Sequence, residues 1–289
     1  VKRVSVPAAI AALAVLLAAC GSPTEDPSAA AGAESSTTTE TPATTTTTTV
    51  PPPPGGRLPT RDEPLRVLLA GDSLMADISL AVASTLNDGG RALVRLVAAP
   101  SVPRQEVTRS LWRQKLREFD PEVVVIMIGV WEGMATDALA RHPLGSLEWE
   151  QDYRREALDP YLALLTSRGA EVLWVGMPPV LHERRQLEFS SMNRAVRQLS
   201  RESRDLTYIP GDQLLAGPDG GWADVLPGPL GNPQRVRRLD TTHLCPAGAE
   251  RLARPVLRHI ARRWAVPLAE DWPTRDWRWV FPAEDCPPA

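Results

Sequence analysis

The sequence predicts an α/β protein, a three-layer α/β/α sandwich around a mainly parallel sheet. Three observations predict it. Short apolar runs recur at 65–70, 92–98, 123–129 and 172–176, with the length and composition of buried strands. Stretches of helical periodicity lie between them. Strands that alternate with helices require right-handed crossovers, which lay the strands parallel and place helices on both faces of the sheet.

The first helix follows the first strand directly, with Leu74, Ile78, Val82 and Leu86 at helical spacing. Residues 147–167 and 183–203 are also helix-like, although Pro160 must start or kink a segment. A last helix is signalled by Pro246 at its first position and by Leu252, Val256, Leu257 and Ile260 on one face of 247–264. Cys245 then occupies the N-cap. Ser or Thr caps better there, so a Cys at this position is more easily understood as a disulfide partner than as a start signal.

The chain of 289 residues is 43% hydrophobic and 23% charged, ordinary for an α/β domain, and its net charge of -3 offers no basic footprint for nucleic acid. Nucleic acid is therefore excluded as a partner class. The organisation expected is residues 1–20 as a leader, 21–64 as a linker, 65–266 as the folded domain and 267–289 as a tail carrying Trp272, Trp277 and Trp279 that packs on it. The linker is rich in Thr, Pro, Ala, Ser and Glu, with a Thr44 to Thr49 run and then Pro51-Pro52-Pro53-Pro54. Without apolar side chains it cannot offset its ordering entropy, and the prolines extend it.

The apolar stretch 6–19 sits behind Lys2 and Arg3 and is short for a bilayer span, the layout of a secretory signal. It ends in Leu17-Ala18-Ala19-Cys20, which looks like the bacterial lipobox, with Cys20 as the lipidated new N-terminus. The other reading is a plain signal with an incidental Cys. The lipobox implies an extracytoplasmic domain anchored to the cell membrane. Lipidation of Cys20 leaves Cys245 and Cys286 as an even pair in an oxidising compartment, and a disulfide between them is expected; two unpaired thiols are the alternative. Such a bond pins the tail against the loop that carries His243.

Two segments carry chemistry. Val67-Leu68-Leu69-Ala70-Gly71-Asp72-Ser73-Leu74 puts Ser73 at the carboxyl end of a central strand and at a helix N-terminus, where ligands of open α/β sheets bind. Gly71 permits a tight backbone path, and the helix N–H groups favour negative charge beside Ser73. Read alone, the segment fits a nucleophile and a simple helix cap equally well. Asp240-Thr241-Thr242-His243 lies just ahead of the last helix. The three-residue offset lets Asp240 reach Nδ1 of His243 and leaves Nε2 to take a hydroxyl proton, which is what a serine nucleophile requires. An isolated surface His beside an unrelated Asp is the plainer reading.

Together, Gly71-Asp72-Ser73-Leu74 and Asp240-Thr241-Thr242-His243 resemble the first and last blocks of the SGNH (GDSL-type) hydrolase superfamily, in the right order and context. The resemblance implies a flavodoxin-like α/β/α fold and ester hydrolysis or acyl transfer through an acyl-serine, with Ser73, Asp240 and His243 catalytic and no cofactor. It also implies an oxyanion hole made by the nucleophile's N–H, a second-block Gly N–H and a third-block Asn. Here the chain departs from the pattern. Ala98-Ala99-Pro100-Ser101 lacks the Gly, and Gly129-Val130-Trp131-Glu132 puts Trp131 in place of the Asn.

The hole expected is accordingly Ser73, Ala99 and Trp131, with the Trp131 indole N–H as the replacement donor or, alternatively, its ring as an apolar wall. Asp72, Glu132 and Trp222 are expected to contact substrate, with His182 a minor addition. His142, His182 and His259 lack the spacing of a metal motif, so no metal is expected. The arginine-rich stretches 235–238 and 258–263 read as solvated faces, the first close enough to Asp240 to meet an acidic glycan. The substrate expected is an envelope glycan or another acyl ester. Two functions compete: an extracytoplasmic serine esterase or acyltransferase acting on O-acyl esters of cell-envelope carbohydrate, and a non-catalytic envelope protein of the same fold that binds a carbohydrate or protein partner. A partner acyltransferase has no signature in the residues.

Overall fold

A computed structural model of the chain describes residues 56–98, 105–129, 141–268, 278, 281 and 283–289, with side chains from 109 onward in the second stretch. The leader, Cys20, most of the linker, Ala99, Trp131, Glu132 and the tail tryptophans lie outside the described residues. Among the described residues no helix is long and apolar enough to cross a membrane.

Five parallel strands form the sheet in the order β2-β1-β3-β4-β5: β1 (Leu65–Gly71), β2 (Ala92–Ala98), β3 (Val123–Met127), β4 (Glu171–Val175) and β5 (Leu206–Ile209). This is the flavodoxin-like doubly wound order. Every residue of β3 and β4 is buried, as covering by helices on both faces demands. Glu171 opens β4 as a buried carboxylate, and it tolerates burial because His259 Nε2 lies 2.8 Å from Oε1 and Arg263 Nε donates to Oε2 at 3.2 Å.

Helix α1 (Ser73–Asp88) packs against α7 (Pro246–Trp264) on one face of the sheet. On the other, α2 (Gln105–Phe119) meets α4 (Asp159–Thr166), with the rings of Trp112 and Tyr161 centred 5.2 Å apart. The expected helix 147–167 is three pieces: α3 (Leu147–Tyr153), a π-helical turn (Arg154–Leu158), and α4, which begins just ahead of Pro160. Proline lacks an N–H, so the ladder is broken where it enters. Next comes α5 (Glu183–Glu202), beside α3.

The sequence pattern missed β5, α2, a single turn α6 (Gly211–Leu214) and the small hairpin of β6 (Val225–Pro227) and β7 (Pro233–Arg235). Those strands are three or four residues long, too short for a period to register. Conversely, the run 123–129 is strand only to Met127; its last residues leave the sheet to form the site.

Candidate active site

In the order β2-β1-β3 the chain leaves β1 in one direction and returns past it to β3, so a crevice opens at the carboxyl ends of β1 and β3. Ser73 stands there as the first residue of α1. The turn that carries it is pressed against β3: a Cβ on Gly71 would lie 2.0 Å from the Met127 carbonyl oxygen, so no larger residue fits. Asp72 N–H donates to the same carbonyl at 3.2 Å. Its side chain caps α1 by accepting from Leu74 N–H at 3.0 Å, and its second oxygen accepts from Gly129 N–H at 2.9 Å. Asp72 was expected to touch substrate. It is instead buried, a brace between the turn that carries Ser73 and the segment that leaves β3.

Across the crevice, the loop from β7 to α7 brings in the other two residues. His243 Nε2 lies 2.8 Å from Ser73 Oγ, and His243 Nδ1 lies 2.6 Å from Asp240 Oδ2. The other Asp240 oxygen accepts from the N–H groups of Thr242 and His243, both at 2.9 Å. Burial acts to raise the Asp240 carboxyl, but those two N–H bonds and the imidazole outweigh it and hold it below the usual carboxylate range. The structure thus gathers Ser73, His243 and Asp240 into one relay. A carboxylate fixing Nδ1–H leaves Nε2 free to accept the hydroxyl proton.

The loop is closed on itself by an isolated antiparallel bridge between Arg237 and Leu244, with Arg238 N–H donating to His243 O at 2.9 Å and Cys245 N–H to Val236 O at 3.1 Å, and side chains hold it further. Thr241 takes a left-handed conformation, φ 66°, at its bend. The Trp222 indole N–H donates to the Thr241 carbonyl at 3.0 Å, so this expected substrate contact spends its polar atom on the loop. Arg237 is fully buried, not a solvated face: one guanidinium nitrogen donates to Thr242 O at 2.8 Å and another to Pro179 O at 2.7 Å. Burial lowers it to about 10, against the attraction of Asp77 and Asp240. Carbonyl dipoles are what make such a buried cation tolerable.

Asp77, 6% exposed, meets the same loop from α1. Its oxygens accept from Arg238 Nη2 at 2.6 Å and from Leu244 N–H at 2.9 Å. Burial pushes its carboxyl up to about 6, despite the Leu244 N–H and Arg238. Asp77 did not stand out in the sequence, and the two arginines read there only as part of a solvated basic stretch. One signal was present, since an acid three residues after Leu74 falls on the apolar stripe of an amphipathic helix.

The tail closes the arrangement. Cys245 and Cys286 form the expected disulfide, with Cα atoms 5.7 Å apart. Leu239 N–H donates to Asp285 O at 3.1 Å, and Arg238 stacks over the buried Phe281 ring at 5.3 Å. A Cβ on Gly248 would strike the Val236 carbonyl at 2.2 Å, so α7 too runs flush against the loop.

Elsewhere, His259 is engaged by Glu171, His142 lies 3.6 Å from Asp152, and His182 is an exposed residue ahead of α5. Among the described residues no cluster of His, Cys, Asp and Glu could hold a metal ion.

No curated protein matches the chain in sequence. Among solved structures, it is similar to a carbohydrate esterase family 3 protein from Talaromyces cellulolyticus (14% identity, TM-score 0.46, covering 70% of this chain and 98% of that one). It is also similar to TesA (20%, TM-score 0.42, 68% and 97%) and to the acetylxylan esterase Axe2 from Geobacillus stearothermophilus (17%, TM-score 0.42, 69% and 95%). Residues 66–259 match a family model described as "Protein of unknown function (DUF459)", and the chain belongs to that family.

Proposed function

We propose that the chain is a serine esterase or acyltransferase that works outside the cytoplasm on O-acyl esters of cell-envelope carbohydrate. The observation that carries this reading is the relay of Asp240, His243 and Ser73, with spacings of 2.6 and 2.8 Å at the mouth of a flavodoxin-like sheet. A neutral serine is a poor nucleophile, and a positioned imidazole supplies the missing base.

Ser73 Oγ attacks the acyl carbonyl as its proton passes to His243 Nε2, and Asp240 stabilises the imidazolium. The imidazolium then protonates the departing sugar oxygen as the ester C–O bond breaks, leaving acyl-Ser73. Water or a second sugar hydroxyl attacks the acyl group, His243 takes up the proton of that attacker, and the proton returns to Ser73 as the acyl–Ser73 bond breaks. Hydrolysis and transfer differ only in that attacker. Negative charge on the tetrahedral carbonyl oxygen would be met by the Ser73 N–H at the start of α1, and the sequence offers the Trp131 indole N–H as a second donor in place of the Asn that the SGNH resemblance implies. The Trp131→Phe variant tests this, since unchanged turnover would remove Trp131 from the hole.

Location outside the cytoplasm is supported by Lys2, Arg3 and the apolar stretch ending in Cys20, and by a disulfide, which oxidising compartments favour. A lipid on Cys20 and the Thr/Pro-rich spacer would hold the domain near envelope glycans. Labelling with a fluorophosphonate probe at neutral pH tests the chemistry. The parent should label, and Ser73→Ala and His243→Ala should not. A second reading, a non-catalytic glycan-binding protein, draws on Gly129-Val130-Trp131-Glu132 and on the missing Gly in Ala98-Ala99-Pro100-Ser101. Absence of Ser73-dependent labelling would decide for it. Product analysis with an added glycan acceptor separates transfer from hydrolysis.

A further inference from the structure

We propose that Asp77 is a positioning residue for this reaction, one whose negative charge, paired with Arg238, fixes the reach of His243 to Ser73. The proposal rests on the esterase reading above for its kinetic consequence but not for its geometry.

Asp77 lies four residues beyond Ser73 on the same helix, one turn along the same face. A helical turn is rigid, so it can serve as a ruler. At its far end the Asp77 carboxylate grips Leu244, the residue after His243, by its N–H at 2.9 Å. Arg238, held by the other carboxylate oxygen, donates through Nε to the Leu244 carbonyl at 3.1 Å. Arg238 N–H also donates to the His243 carbonyl at 2.9 Å. Asp77 and Arg238 therefore bind the peptide groups on both sides of Leu244: the His243–Leu244 group through its N–H and its carbonyl, and the Leu244–Cys245 group through its carbonyl. These bonds join the base-bearing backbone to the nucleophile-bearing helix within one turn of Ser73.

The charge matters as well as the shape. The charged groups facing Asp77 are Arg237, Arg238, His243 and Asp240, all on the loop before α7. With Asp77 ionised, Arg238 is neutralised and its stacking on Phe281 stays in register with the loop. A proton on Asp77 leaves Arg238 without its anionic partner and loosens the grip on Leu244. An acid held near 6 by burial makes that proton available just below neutral pH.

The test uses hydrolysis of p-nitrophenyl acetate by the parent, Asp77→Asn, Arg238→Gln and the double variant from pH 4.5 to 9, with melting curves for each. Asp77→Asn should lower kcat about ten- to a hundredfold at pH 8 with KM unchanged, the scale of a small misplacement of a catalytic group. The pH profile of log kcat/KM should show a step with a midpoint near 6 in the parent and lose that step in Asp77→Asn. The double variant should be no worse than either single, because the pair acts as a unit. A parent-like step in a folded Asp77→Asn, or additive losses, would overturn the proposal. If Asp77→Asn does not fold, Arg238→Gln gives the same reading from the less buried side. The amide NMR shift of Leu244 is independent of activity: it should titrate with a midpoint near 6 in the parent and lose that titration in Asp77→Asn. A parent that shows the Leu244 titration but no hydrolysis sinks the esterase reading and leaves the pair standing; a flat Leu244 shift sinks the pair.

Discussion

Asp72 Oδ2 accepts the Gly129 N–H at 2.9 Å, which ties the residue ahead of Ser73 to the segment leaving β3. Because the other oxygen caps α1, removing the side chain undoes two bonds at once. Loss of a cap costs about 1 kcal/mol. An unpaired buried N–H at Gly129 adds about 1–3 kcal/mol. Urea denaturation of Asp72→Ala should therefore show about 3 kcal/mol less stability than the parent, and Asp72→Asn, which keeps one acceptor, a smaller loss. A change under about 0.5 kcal/mol for Asp72→Ala would mean that the brace contributes nothing.

Asp240 is half exposed, yet its two oxygens take three hydrogen bonds from the stretch 242–243. Asp240→Asn preserves size and removes the anion that selects the His243 tautomer. In a serine relay that change lowers kcat by roughly 10⁴. The rate of fluorophosphonate labelling should fall by at least about a thousandfold while the melting temperature moves little. A fall of less than about threefold would exclude Asp240 as the orienting acid.

The disulfide encloses a long stretch of chain, with a sequence separation of 41. Closing a loop of that length restricts the unfolded chain by an amount worth about 4 kcal/mol. Cys286→Ser should lower stability in guanidinium by up to that figure. Activity should fall further than a remote staple would allow, because Asp285 and Phe281 hold Leu239 and Arg238 from the same tail. Assays with and without a thiol reductant on the parent check the same point.

Stability should also respond to pH through Asp77. Its folded value near 6 lies above the ordinary aspartate value of 3.8, so the native state binds this proton more tightly than the unfolded chain. The stabilisation that follows is fully present below about pH 3.8 and is lost as pH rises through 6. Asp240 has the opposite sign: its lowered value stabilises the fold above its unfolded pKa and gives that up as pH falls through the folded one. The melting temperature of Asp77→Asn relative to the parent should therefore rise between pH 4 and pH 7. A constant difference would show that Asp77 does not change protonation in that window.

The long apolar runs made the first four strands legible, and the two sequence blocks around Ser73 and His243 made the relay legible, because each depends on local order along the chain. What could not be read is whatever depends on contacts across the chain. Arg237 and Arg238 look like a basic surface run until the fold buries the first against Pro179 and pairs the second with Asp77, 161 residues away. Asp72 and Trp222 have the chemistry of ligand contacts, and only packing reveals that their polar atoms are used internally. The short edge strand β5 carries too few residues for alternation to show.

Ser73 rides on α1, His243 on the approach to α7, and the two helices pack against each other. Sliding one helix past the other by a fraction of a turn would change the reacting distance without touching any residue of the relay. Small buried side chains on these helices, such as Ala81, Ala249 and Ala253, are therefore places where variation far from the crevice can retune turnover. The spacing of Ser73 and His243 can thus change while both sequence blocks stay the same.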